Sequence, residues 1–231
     1  MQSLDSLVSS LKNQQVSWVK ASDEARAHSK DAAATKQALD RAELLWGATS
    51  LSKQFRELLN ARGISIYDRN VEHHFTGSAI VLHPATRRIL MTFHPSYQIW
   101  QQLGGHDEGE HNPVAVSARE AWEESGIEDL WVCDWPVRID PHPAEQCKSV
   151  NGEHHNWHYD ICYMSVTLSL DFKISEESVD MRWFSIDEIK QLVAEDKAQQ
   201  RAFEMAQNSL LLFDTLVASR KLPSGFRTVA Q

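Results

Sequence analysis

Apolar positions recur at helical spacing from Leu4 to about Ala61, a stretch rich in Ala, Lys, Gln, Glu and Leu with no internal proline and one glycine, Gly47. This pattern predicts a helical N-terminal arm over residues 1–70. Two stripes stand out, Ala42, Leu45, Trp46 and Thr49, then Leu51, Phe55, Leu58 and Leu59, with Gly63 placed to stop the second. Such stripes pack on a neighbouring domain or on a partner. After Tyr67 the period changes. Gly77–His83 and Arg88–Phe93 are short β-rich runs joined by Pro84-Ala85-Thr86-Arg87, which reads as a hairpin or close strand pair. Further strands are predicted at Trp131–Arg138, Trp157–Leu168 and Met181–Phe184. Helices are predicted near Pro113–Ser125, Ile186–Ala194 and Ala198–Ser219. Ser185-Ile186-Asp187-Glu188 has the Ser-x-x-Glu spacing of a capping box, which gives the second of these helices a physical start. Phe203, Leu210, Phe213 and Val217 form one face of the third, a core or dimer face. Residues 71–231 therefore read as a mixed α/β domain.

The chain of 231 residues has 23 basic and 32 acidic side chains, a formal charge of -9. That balance argues against a protein that coats nucleic acid, since the phosphate backbone needs a basic surface. Cys133, Cys147 and Cys162 lie far apart, without a CxxC pair or a disulfide framework, so a reducing, cytoplasmic setting is expected. The opening MQSLDSLVSSL lacks the basic start and apolar run of a leader. No stretch approaches the ~18 apolar residues of a membrane span, so no membrane association is expected.

The chemistry is concentrated in Leu103–Ile127, LGGHDEGEHNPVAVSAREAWEESGI. Pro113 suits the first turn of a helix and Gly126 its end. At 100° per residue, Glu120, Glu123 and Glu124 share one face, while Val114, Ala115, Ala118, Ala121, Trp122 and Ser125 take the other. Like charges at i, i+3 and i+4 cost a few tenths of a kcal/mol per pair, and Arg119 alone cannot neutralise three. A cation belongs there, or else the face is simply solvated. Mg²⁺ and Mn²⁺ take oxygen ligands, the Gly104-Gly105 turn lets backbone approach an ion, and Asp107, Glu108 and Glu110 add acidic oxygens.

Gly105 followed by Arg119-Glu120-Ala121-Trp122-Glu123-Glu124-Ser125-Gly126-Ile127 resembles the Nudix box: Gly, five residues, Glu, seven residues, then Arg-Glu-apolar-x-Glu-Glu-x-Gly-apolar. The resemblance implies a Nudix-type mixed-sheet α/β/α sandwich, here with a helical N-terminal extension. The front of the box departs from the pattern. Five residues on from Gly105 lies His111, while Glu110 is one place early. Gly104-Gly105-His106-Asp107-Glu108-Gly109-Glu110 is similar to a subgroup with a shifted Gly-Gly-His loop, and imidazole is a poor Mg²⁺ ligand, so Glu110 is preferred over His111 for the acidic place.

What the resemblance implies for the residues is specific. Glu123 and Glu124 are the principal metal ligands, Glu120 is a further ligand or the general base, Arg119 orients the glutamates, and the Gly105 carbonyl completes the shell with Glu110. One more acid is expected from a late loop, Glu176 or Glu177, with Glu177 preferred. The implied enzyme is a pyrophosphohydrolase. With Mg²⁺ or Mn²⁺ it cleaves a phosphoanhydride of a nucleoside diphosphate linked to another group. The rival readings are a silent Nudix-fold module that binds a nucleotide or protein, and diphosphate isomerase chemistry, which needs a cysteine and a glutamate facing the substrate. The apolar stripes leave a homodimer open.

Other features carry less. His154, His155 and His158 with His142, Cys147 and Cys162 invite zinc, but the i, i+4 spacing of His154 and His158 needs a helix where a strand is predicted. These histidines read as substrate-lining or structural, and His158 and Asp160 on one strand face could touch substrate. Trp122 is expected behind its helix. Trp100, Trp135 and Trp157 are core or base-stacking residues. Neither a Gly-x-Ser-x-Gly elbow nor a Walker loop occurs.

Overall fold

The computed structural model describes residues 2–21, 32–147, 157–175, 178–193 and 197–226. Eight strands among them form one mixed sheet: β1 (Trp18–Lys20), β2 (His73–His83), β3 (Arg88–His94), β4 (Ile99–Gln101), β5 (Leu103–His106), β6 (Leu130–Pro143), β7 (Trp157–Thr167) and β8 (Asp180–Phe184). The order is β1-β6-β7-β2-β3-β4, with β5 also on β2 and β8 also on β3. β2 and β7 are parallel and the other pairs antiparallel. The expected hairpin is present, with Val81 opposite Leu90 and His83 opposite Arg88.

Helices cover both faces: α1 (Leu4–Leu11), α2 (Ala33–Trp46), α3 (Ser50–Arg62), α4 (Pro113–Ser125), α5 (Ile186–Leu192) and α6 (Lys197–Ala218). Strand alternation divides the apolar residues into two cores. Phe75, Ala79 and Val81 of β2 join Leu39 of α2, Phe55 of α3 and Val116 of α4 in one core. Ile80 and Leu82 join Leu7 of α1, Ile189 of α5 and Leu212 of α6 in the other. The α/β/α layering thus follows from period-2 strands meeting period-3.6 helices on each side.

The N-terminal arm is not helical throughout. Trp18–Lys20 is a strand, held because its backbone completes the open edge of β6, with Trp18 opposite Cys133 and Lys20 opposite Trp131. In α6 the fully buried positions are Met205, Ala206, Ser209, Leu212, Thr215 and Leu216. Of the expected stripe, Phe213 is buried with them, and Phe203, Leu210 and Val217 are half-buried and pack against the same core, so the stripe forms the border of the packed face. The capping box at Ser185 forms in both directions. Glu177, Glu176, His154 and His155 lie outside the described residues. Among the described residues no helix is long and apolar enough to cross a membrane.

Candidate active site

α4 is set by its ends. Pro113 occupies its first turn, and Gly126 closes it in the left-handed region at φ 62°, its N–H donating to the Trp122 carbonyl at 2.8 Å. Ala115, Val116, Ala118 and Ala121 are buried against the sheet. The helix comes close because Gly77 has no side chain; a Cβ there would stand 2.9 Å from Val116 Cγ1. Glu120, Glu123 and Glu124 then line a cleft of about 830 Å³ together with Gly104 and Gly105. A Cβ at Gly105 would overlap the Glu120 carboxylate, so the glycine makes the space in which that carboxylate sits.

Arg119 is the pivot of this wall. Although charged, it is only 1% exposed. Its Nε donates to Glu110 Oε1 at 2.6 Å, Nη1 to Glu123 Oε2 at 2.8 Å, and Nη2 to the His106 carbonyl at 2.6 Å. Glu120 Oε1 stands 3.0 Å from Nη1. Burial alone would lower the guanidinium pKa, but Glu120 and Glu110 outweigh it and raise it further, so the charge is permanent. Glu110 is fully buried, and its second oxygen accepts from the Glu108 N–H at 2.8 Å. Burial pushes its carboxyl up, yet the Glu108 N–H and Arg119 prevail and hold it below the usual carboxylate range. Asp107 shapes the same loop, accepting from the Gly109 and His111 N–H groups at 2.8 and 2.7 Å.

The cleft floor comes from the sheet. Alternate residues of β2, Thr76 and Ser78, donate to Asp160 of β7 at 3.1 and 2.6 Å. Asp160 is 2% exposed, and burial lifts its carboxyl to about 6 against the lowering effect of Ser78. On β6, Asp140 lies opposite Asp160, and His142 opposite His158. Asp140 accepts from Arg138 Nε at 2.9 Å and lies 3.1 Å from His142 Nδ1 and 3.5 Å from Arg201 Nε. Burial works against its charge, but His142 and Arg138 keep its carboxyl below the ordinary range. Arg201, Arg69 and Tyr97 complete the rim. One cleft therefore joins a carboxylate wall to a rim bearing arginines.

A family model described as the NUDIX domain matches residues 73–207, more than half of the chain. The chain belongs to the NUDIX domain family. With that membership comes the general activity of the family, and the chain is a pyrophosphohydrolase of the Nudix type. Solved structures similar to this chain include a NUDIX family hydrolase from Clostridium perfringens, 23% identical over 62% of this chain and 99% of that one, with a TM-score of 0.43. A C. elegans Ap4A hydrolase in a binary complex is 14% identical over 60% and 98%, with a TM-score of 0.45. The NUDIX domain of Shewanella oneidensis NrtR, complexed with ADP ribose, is 16% identical over 59% and 87%, with a TM-score of 0.40. No curated protein matches the chain.

Within the Nudix domain, four of the residues singled out from sequence share the cleft wall with Gly105: Arg119, Glu120, Glu123 and Glu124. Glu110 stands behind them on Arg119, outside the cleft lining. The ring of His111 stacks on Tyr67 at 4.6 Å instead of entering the cleft. His158 and Asp160 do share the cleft, as their alternation implies. Cys162 is buried and burial drives its thiol far up; among the described residues no cysteine lines the cleft, so the isomerase reading lacks the cysteine it needs facing the substrate. Sequence reasoning missed Thr76, Ser78, Asp140, Arg69 and Arg201. A signal for three of them exists: His74-x-Thr76-x-Ser78 and Arg138-x-Asp140-x-His142 place polar groups on alternate positions of strands that are otherwise apolar.

Proposed function

We propose that this Nudix domain hydrolyses a phosphoanhydride in a nucleoside diphosphate linked to a second group, with Mg²⁺ or Mn²⁺ held by the α4 carboxylates. The observation that carries the reading is the buried Arg119, which takes Glu110, Glu123 and the His106 carbonyl at 2.6–2.8 Å. It fixes an acidic row that would otherwise repel itself, at a wall where Gly105 admits a carboxylate. The carboxylates of Glu120, Glu123 and Glu124 on this wall offer oxygen donors, which suit a hard cation better than a soft one. Glu123 and Glu124 would hold it, with the Gly105 carbonyl and Glu177 as further ligands. Such an ion supplies charge neutralisation of the diphosphate and acidifies attacking water.

The rest is work for the chain itself. Glu120, the carboxylate seated against Gly105, accepts the proton from water as general base. Arg119 cannot do so, being permanently charged; it orients Glu120 and Glu123. Arg69 and Arg201, at the rim, meet phosphate oxygens that extend away from the acidic wall. A volume of about 830 Å³ exceeds what pyrophosphate alone needs and lies in the range of sites for drug-sized ligands, which supports a substrate with a nucleoside and a further group. The test is a hydrolysis screen of nucleoside diphosphate compounds with each metal, using wild type and a Glu123→Gln, Glu124→Gln double variant. Turnover that needs metal and falls at least ~100-fold in the folded double variant is expected. Equal turnover in both proteins would refute the metal site, and binding without turnover across the panel would make the domain a silent binding module.

A further inference from the structure

Beside the acidic wall, four side chains from distant parts of the sequence converge. They are His74 on β2, His106 at the end of β5, Cys147 after β6, and His158 on β7. One potential ligand atom from each lies within 4.8 Å of all the others. Cys147 Sγ is 3.4 Å from His106 Nε2 and 4.0 Å from His74 Nε2. The three imidazoles stand at centroid separations of 5.0, 4.9 and 5.1 Å. Tetrahedral zinc, with bonds of about 2.0–2.1 Å to nitrogen and 2.3 Å to sulfur, needs ligand atoms about 3.3–3.8 Å apart. The cluster meets that after a contraction of about 1 Å.

We infer that this domain carries a structural zinc site made of His74, His106, Cys147 and His158, separate from the Mg²⁺ or Mn²⁺ site of catalysis. The donor set decides the metal: three imidazoles and a thiolate match zinc and do not suit magnesium or manganese, which prefer oxygen. The outer shell agrees. His74 Nδ1 lies 2.8 Å from the Val71 carbonyl, which can only accept, so Nδ1 carries the proton and Nε2 presents its lone pair to the cluster. Strand pairing supplies the rest, with His74 directly opposite His158 and Thr76 opposite His106. Four protein ligands close the shell, which marks the site as structural.

Its consequence for the domain runs through His106. That residue turns its ring towards the cluster while its carbonyl accepts from Arg119 Nη2. Zinc would tie β2, β5 and β7 to the segment after β6 and hold the strand end against which Arg119 is fastened. The sequence brings Cys147 and His158 forward but not His74 or His106, because the four ligands come from separate segments without the short CxxC or HxxxH spacings by which zinc is usually recognised.

The experiment uses the full chain purified without a histidine tag. Metal content is read by mass spectrometry, zinc affinity by competition with a chromophoric chelator, and geometry by cobalt substitution. The expected result is one zinc per chain, retained in excess Mg²⁺ and in the Glu123→Gln, Glu124→Gln double variant. The cobalt form should show intense tetrahedral bands and a thiolate-to-cobalt charge-transfer band. Cys147→Ser should abolish that band and weaken zinc binding beyond the ~10–100-fold that loss of an outer-shell partner costs. Cys147 is half-buried and Ser is close to it in size, so this variant is expected to fold; His106→Ala provides a second test. Absence of tight zinc binding by the wild-type chain would overturn the inference, as would a charge-transfer band that survives Cys147→Ser. Because the double variant keeps zinc if the inference holds, failure of the catalytic proposal and failure of this one give different results.

Discussion

Gly105 carries the most specific requirement of any single residue in the cleft. Its backbone has no unusual φ, so alanine is forbidden there by the Glu120 carboxylate and not by strain. Gly105→Ala should leave the fold intact, judged by circular dichroism, yet lower kcat about 100-fold, the order of loss that a displacement of about 1 Å produces at a reacting centre. An unchanged kcat would show that Glu120 can move without consequence. A second test separates neighbours in the loop. Glu110 is buried on Arg119, whereas His111 stacks on Tyr67. Glu110→Gln removes the charge that compensates a buried guanidinium and should cost more activity and about 1–3 kcal/mol more stability than His111→Gln. The reverse order in kinetics and urea midpoints would reassign the loop. The Arg119-to-Glu124 row was legible because helical period alone puts its carboxylates on one face. The inward role of Glu110 was not, since a loop has no period from which to read direction.

Elements were legible in proportion to their length. β2, β7 and α4 are long and patterned, and their positions follow from alternation and end signals. β1, β4 and β5 are three or four residues each, and β5 contains Gly104-Gly105, poor strand formers. These strands exist because β6, β3 and β2 offer them open edges, which is tertiary information. In α6 the large apolar residues Phe203, Leu210 and Val217 lie at the border of the packed face, while the centre includes the small residues Ala206 and Ser209, which carry little hydrophobic signal. The α2–α3 pair offers a test that reports on two elements together. Arg56 donates to Glu43 from Nε at 3.0 Å and from Nη2 at 2.8 Å, and reaches Asp40 at 2.6 Å. The Arg56 hydrogen bond lowers the Glu43 pKa. A carboxylate with a lowered folded pKa adds stability above its unfolded value near 4.5, and that stability is lost as pH falls through the folded value. Arg56→Met should therefore cost up to about 1 kcal/mol at neutral pH, the pair being partly exposed, and less below pH ~4. Urea midpoints of both proteins at the two pH values decide it, and a gap that does not shrink in acid would assign the stabilisation to packing.

At the scale of the molecule, the cleft exists because strands change character halfway along one face. Towards one end of β2 and β7 that face carries His74, Thr76, Ser78, His158 and Asp160; towards the other it carries Ile80, Leu82, Met164 and Val166. Register lines up the polar halves to make a floor and the apolar halves to make a core, so neither is visible until β2 is known to run parallel to β7. The same apolar half extends to the N-terminal segment. Leu7 and Leu11 of α1 are fully buried in it, and β1 covers the edge of β6. Cross-links fasten the segment further: Ser17 N–H donates to Asp134 at 2.8 Å, Trp18 Nε1 to the Lys221 carbonyl at 2.9 Å, and Trp135 Nε1 to the Gln15 carbonyl at 3.0 Å. The two leucines alone are worth about 3–6 kcal/mol, at roughly 1.5–3 kcal/mol for each buried side chain, against a total stability of about 5–15 kcal/mol for a typical domain. Removal of residues 1–21 would also leave the edge of β6 open to pairing with other chains. The truncated chain is therefore expected to unfold at a much lower urea concentration and to aggregate, although every residue of the cleft is retained. A truncated protein with the wild-type midpoint and turnover would show instead that residues 22–231 suffice and that α1 and β1 are an appendage.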